Sequence, residues 1–369
     1  MSAGPLGAFG VRSPCIARRV RRIAGVLAHG PVLFRNAEGG VVTSFHIVPL
    51  SAAHVEAAAR LASWRYVALR REVRDLPERY EDPVAFADRL ARLVERGSGV
   101  AALDGAELVG FLGAYSIGRF AGRPAVLSPE WGHGSKPAQA RQIDDAMLAE
   151  AARGWVARGA ETHIICAMAH DAAAIEGWEW MGFGHIVCDV VRSTDAIVSA
   201  RNSIHVRRAE TADADALVDL DRRLHEHMND SPVFLSHGDV EEPKWWRAQA
   251  ADSSRAIWIA EDATHPVGFL IQGPPSDDAC DLIVDPSTSS ITGTYVLPDA
   301  RGHGVAATLL AHAVEWARAR DYARLATDFE TANVPATRFW LRHFRPVVES
   351  LARTIEAGRH EFVSRPQAL

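Results

Sequence analysis

The chain has 369 residues, enough for two domains of about 150 residues each, and its 48% hydrophobic and 23% charged content is ordinary for a globular protein. A net charge of −6 with a pI near 6.2 excludes an extended nucleic-acid-binding face, and no run of about 18 apolar residues exists to cross a membrane. The four cysteines stand far apart with no CxxC pair, which excludes a disulfide framework or a zinc site and points to reduced, packed thiols in a cytoplasmic protein.

In chain order, residues 1–42 come first and carry Arg12, Arg18, Arg19, Arg21, Arg22 and Arg35 ahead of the first acid, Glu38. The apolar run "IAGVLAHGPVLF" is split by His29 and Gly30, so a disordered leader, or a start codon set too early, is expected over a signal peptide. From Phe45, "FHIVPLSAAHVEAAARLAS" reads as a short strand and an alanine-rich helix. "GVAALDGAELVGFLGAYS", from Gly99, reads as a hairpin turning at Asp104-Gly105. "SPEWGHGSKP", from Ser128, reads as a rearranged loop, with Trp131 and His133 as candidate contacts for an acceptor substrate. The polar segment from Arg192 to Ser203 is the natural linker.

Beyond the linker the chain is written a second time. "IHVRRAETADADALVDLDR" from Ile204 repeats the strand and helix of Phe45 in outline, and "AIWIAEDATHPVGFLIQG" from Ala256 repeats the hairpin. "WARARDYARLATDFETA" from Trp316 and "FWLRHFRPVVESLART" from Phe339 match segments from Trp155 and Trp178, at one offset of 161 residues. The expected organisation is a leader (1–42), a first domain (43–195), a linker (196–203), a second domain (204–360) and a tail (361–369). Strands and helices in this order indicate an α+β fold, each copy a mixed, mostly antiparallel central sheet flanked by helices, in pseudo-dimeric tandem.

The segment "YVLPDARGHGVAATLLAHAVEW", from Tyr295, carries the chemistry. Residues Ser290 to Leu297 read as a strand that Pro298 ends, and Val305 to about Arg320 as a helix with Val305, Leu309, Ala313, Trp316 and Ala317 on one stripe. Gly302 and Gly304 let the backbone turn with its N–H groups presented at the helix start, which makes an anion site. A structural glycine turn, a dinucleotide-binding turn and a coenzyme A cradle compete there. The dinucleotide reading fails because Pro298 to Arg301 separates strand from glycines and only 65 residues follow Gly304.

Val296, Pro298, Arg301, Gly304 and Ala306, followed by Asn333, Ala336, Phe339, Trp340 and Phe344, resemble the signature of the GNAT superfamily of N-acetyltransferases. The resemblance covers about residues 204–356. It implies that acetyl-CoA is a co-substrate and that an amine attacks it directly. By position, it implies that Thr294, Tyr295 and Val296 pair with the pantetheine arm, and that Arg301, Gly302, His303, Gly304, Val305, Ala306 and Ala307 frame the pyrophosphate. It also implies that Asn333 and Trp340 meet the coenzyme. Trp340 stands where many members have a tyrosine that protonates the departing thiolate, and His343 replaces a glycine.

No carboxylate lies on the strand from Ser290 to Leu297, so Asp328 and Glu330, two apart on the next strand, are the candidate general bases, with Asp281 and Asp285 as weaker ones. Glu226, His227 and Asp230 are candidate acceptor contacts. His225 and His227 are two apart on a helix and so face differently, which argues against a metal site. In the first copy the 161-residue offset replaces the glycine turn by Ala140 to Asp145, with two acids, so that copy is expected not to hold coenzyme A. The expected function is acetyl transfer to a small-molecule amine by the second domain, in a monomer or homodimer; an acyl-CoA-binding module without turnover and a protein N-acetyltransferase are the alternatives.

Overall fold

The computed structural model describes residues 32–35, 41–197, 204–236, 238–263 and 265–356. In the first half the elements are β1 (Val32–Arg35), β2 (Val41–Pro49), α1 (Val55–Glu72), α2 (Val84–Arg96), β3 (Ser98–Asp104), β4 (Glu107–Phe120), β5 (Arg123–Ser128), β6 (His133–Ser135), α3 (Ala140–Ala157), β7 (Thr162–Met168), α4 (Ala172–Trp180) and β8 (Gly184–Ser193). In the second they are β9 (His205–Arg208), α5 (Ala214–Asn229), α6 (Pro243–Ala251), β10 (Ala256–Glu261), β11 (Pro266–Gly273), β12 (Thr288–Val296), α7 (Val305–Arg318), β13 (Arg324–Glu330), α8 (Val334–His343) and β14 (Arg345–Thr354).

The expected hairpins form: β3 pairs with β4 around Gly105, whose φ of +58° suits glycine, and β10 pairs with β11. Val305, Leu309, Ala313, Trp316 and Ala317 are all buried, so the apolar stripe of α7 faces the sheet as its spacing requires. The N-terminal expectation needs correction. Residues 32–35, placed in a leader, form a strand antiparallel to β2, which itself begins at Val41. The rest of the leader, most of the linker, the tail and His237 lie outside the described residues.

The strands join in one mixed sheet in the order β1-β2-β3-β4-β5-β7-β14-β8-β13-β12-β11-β10-β9, with β6 beside β4. Two pairs are parallel, β5 with β7 and β12 with β13; the others are antiparallel. The order at the centre is the unexpected feature. β14, the last strand of the second half, lies against β7 of the first, while β8, the last strand of the first half, lies against β13 of the second. The two strands begin and end 161 positions apart and pair with each other, so the halves have exchanged equivalent strands about a seam.

One apolar cluster crosses that seam: Val191, Leu282, Ile283, Ala326, Val347 and Val348 pack with Tyr66, Tyr80 and Phe86 of the first half. Polar contacts add to it. Tyr80 Oη donates to the Asp281 carbonyl (2.5 Å), Arg324 Nε donates to the Asp75 carbonyl (2.5 Å), and Arg79 donates to the Val284 carbonyl.

Candidate functional site

β12 and β13 are parallel only over Thr288 to Ser290, opposite Arg324 to Ala326; beyond Ser290 no pairing between them continues. On its other side β12 stays paired with β11 to Val296, with a register shift between Ile271 and Gln272. The second part of β12 therefore has an open edge toward the splay. The Val296 carbonyl faces that way, accepting a 3.0 Å bond from Arg301 Nε rather than a ladder bond, while the Arg301 guanidinium lies over the Tyr295 ring.

Gly302 and Gly304 have φ of +81° and +80°, and Gly304 is the N-cap of α7. No neighbour crowds a Cβ at Gly302, so handedness of the backbone and not space demands glycine there. The first helical bond runs from the Thr308 amide to the Gly304 carbonyl (3.0 Å), which leaves the amides of Val305, Ala306 and Ala307 ahead of it without an intrahelical acceptor. Those amides, the positive end of the α7 dipole and the absence of any acid from Arg301 to Ala307 suit a diphosphate. His303 is exposed on the turn.

Across the splay, Asn333 caps α8 through a 3.5 Å bond from the Ala336 amide and accepts from His227 Nε2 at 3.3 Å. His227 also lies 6.2 Å from the Tyr295 ring centre. Burial pushes the Tyr295 phenol up, with Glu226 adding to the effect and Arg301 and Arg223 opposing it. The structure thus gathers Tyr295, Arg301, Asn333, Glu226 and His227 around the open strand edge. The exposed Asp230 accepts from the Ser231 amide through its carboxylate (2.7 Å), and its carbonyl caps the following turn.

Asp328 and Glu330 stand on the face of β13 opposite Leu325 and Phe329, which pack under α7 and α8. Asp328 is exposed to solvent on a face that neighbouring protein crowds. This environment raises it to about 6, and Glu330 beside it adds to the shift; burial raises Glu330 as well.

Several expected roles change. Trp340 is 3% exposed and packs edge-to-face on Phe339 and Phe344, so its indole belongs to the core of the second half. Trp131 is buried, and its indole N–H donates to Asp281 (2.7 Å), which Arg89 also pairs at 3.3 Å. His133 is buried against Trp178 and burial drops it to about 3, so it is a neutral packing residue. Asp285 pairs with Arg324 and Arg79. Asp281 and Asp285 therefore hold a loop to the first half, and their partners engage them there.

The equivalent groove of the first half is filled. The counterpart of β12, residues 127–135, is broken by 129–132 into β5 and β6. Arg65 of α1, buried, donates to the His133 carbonyl (2.6 Å), the position that matches Thr294. It lies against Gly134, where a Cβ would meet Arg65 Cδ at 2.9 Å. Asp171 pairs with Arg65 at 3.7 Å, and Asp144, raised to about 7 by burial, stands at the position matching Val305, the first residue after the glycine turn. The sequence held no periodic signal for this plug, because a lone arginine on a helix reads as surface.

Among the described residues no cluster of metal-ligating side chains occurs and no helix is long and apolar enough to cross a membrane. Residues 220–344 match the model of the acetyltransferase (GNAT) family, and no curated protein matches the chain. Similar solved structures include a GCN5-related N-acetyltransferase from Sphaerobacter thermophilus (16% identity, TM-score 0.49, covering 85% of this chain and 96% of that one). A tandem GNAT protein from the clavulanic acid biosynthesis pathway is similar at 14% identity and TM-score 0.42, covering 85% of this chain and 99% of that one. A GCN5-related N-acetyltransferase from Kribbella flavida is similar at 14% and 0.38, covering 85% and 71%. The family match, at residues 220–344, spans the open strand, the glycine turn and Asn333 of the second half.

Proposed function

We propose that the second half transfers an acetyl group from acetyl-CoA to the amine of a small molecule. The observation that carries this reading is the open edge of β12 running into a left-handed glycine turn whose following amides lack acceptors. Backbone groups from Thr294 to Val296 would take the pantetheine arm, the amides from Gly302 to Ala307 the pyrophosphate, and Asn333 the region of the splay. Acetyl-CoA supplies an acetyl group activated as a thioester.

The chain's own residues orient the amine and take its proton. Asp328 is the proposed base, directly or through water, with Glu330 beside it keeping its proton affinity high enough to be useful near neutrality. His227, hydrogen-bonded to Asn333, would contact the acceptor. Holding amine and thioester together in the cleft is the larger contribution, since positioning alone is worth several kcal/mol.

A binding module without turnover is the second reading, favoured by the buried Trp340, which offers no acid to a leaving thiolate. Thiol release from acetyl-CoA over a panel of small amines separates the two. Release with at least one amine supports transfer. Tight acetyl-CoA binding with no release for any amine would leave the module.

A further inference from the structure

Four carboxyl groups lie near one another at the seam, Asp328 and Glu330 from the second half and Asp189 and Glu130 from the first. Asp189 on β8 stands directly opposite Asp328 on β13 in the antiparallel register, so the two share a face with Cβ atoms about 5 Å apart. Glu330 follows on the same face, and Asp189 accepts a bond from the Cys280 amide (3.0 Å). Glu130, in the 129–132 break, lies close enough to Asp189 and Asp281 for both to raise its proton affinity.

Among the described residues none of Glu130, Asp189, Asp328 and Glu330 pairs with a basic side chain; the nearby Arg89 pairs with Asp281. Glu130 is 4% exposed and its Oε1 is buried with no hydrogen-bond partner at all. Backbone N–H groups of Glu130 and Leu282 act on the same carboxyl, but burial outweighs them and favours a proton, or a cation, on it. The cluster reaches solvent at Asp328, which is exposed, while Asp189 is 6% exposed.

We propose that this cluster selects an acceptor carrying two or more ammonium groups, with Asp328 and Glu330 meeting the reacting amine and Asp189 and Glu130 binding a second one. The proposal rests on the acetyl-transfer reading for the role of the cleft, and it makes the exchanged strand β8 part of the acceptor site. Without ligand, protons neutralise the buried pair: burial raises Glu130 to about 8 and Asp189 to about 7. A polycation would replace those protons, so its binding releases them and strengthens as pH rises from about 6 to about 8.

Calorimetry on the full chain without acetyl-CoA tests this, using a linear aliphatic triamine and a monoamine of equal length. The triamine is expected to bind at least about tenfold more tightly, to weaken with salt, and to show a heat that depends on the ionisation enthalpy of the buffer. Glu130→Gln and Asp189→Asn should each weaken the triamine about tenfold and leave the monoamine and acetyl-CoA unaffected. Where either buried variant fails to fold, Glu330→Gln, at a more open position, should weaken the triamine and the monoamine alike. Equal affinity for the two amines, or variants that bind the triamine like the wild type, would overturn the proposal. Failure of the transfer reading has a different signature: no thiol release with any amine while triamine binding and its charge dependence persist.

Discussion

At the residue scale, the account turns on groups whose environment departs from the ordinary. As the proposed base Asp328 must be ionised, so at saturating amine the rate of thiol release should rise with pH through about 6. Asp328→Asn should lower kcat by about a hundredfold, remove that limb and leave acetyl-CoA affinity unchanged, which a pH series of initial rates would reveal. Glu130 carries a stability consequence as well. Its folded-state pKa is raised above its unfolded value, so ionisation penalises the native state, and the penalty grows as pH climbs from the usual carboxylate range through about 8. Glu130→Gln should therefore raise the melting temperature by several degrees at pH 8.5 and by little at pH 5.5. A variant equally stabilised at both pH values would contradict the ionisation argument.

At the scale of elements, β12 and its counterpart residues 127–135 make opposite uses of one design. In the second half the strand stays whole to Val296 and leaves its edge open; in the first, 129–132 breaks it and Arg65 fills the gap. Arg65 is a buried cation held by the His133 carbonyl and Asp171, so Arg65→Ala should cost about 3–5 kcal/mol in a denaturant titration, because Asp171 and Asp144 lose their counter-charge. The glycine turn was legible in the sequence because left-handed backbone narrows the choice of residue, and α7 because its stripe has helical spacing. The roles expected for Trp131, His133 and Trp340 went astray for one reason: a type and a position along the chain do not reveal whether a side chain lines a cleft or packs beneath it. Asp189 was invisible as a site residue, since only the strand exchange brings it opposite Asp328.

At the scale of the whole molecule, the exchange ties two halves that the repeat alone suggested were independent. Nothing in a 161-residue offset distinguishes a strand that returns to its own sheet from one that crosses to its neighbour. Because β8 and β14 each complete the other half, proteolytic nicking within 198–203 should leave both fragments in one particle on gel filtration, separable only by denaturant. The exchange also fits a division of labour, with one half's groove filled by Arg65 and its loop and last strand carried to the other half's cleft. On the proposed reading the chain has one coenzyme cradle, at the glycine turn before α7. Titrating acetyl-CoA calorimetrically into the wild type and into Gly304→Glu tests it most directly. The account predicts one site per chain, lost by about a hundredfold or more in the variant, where a side chain would have to adopt left-handed backbone and set a negative charge beside the diphosphate. Two sites per chain, or an unchanged affinity in Gly304→Glu, would contradict it.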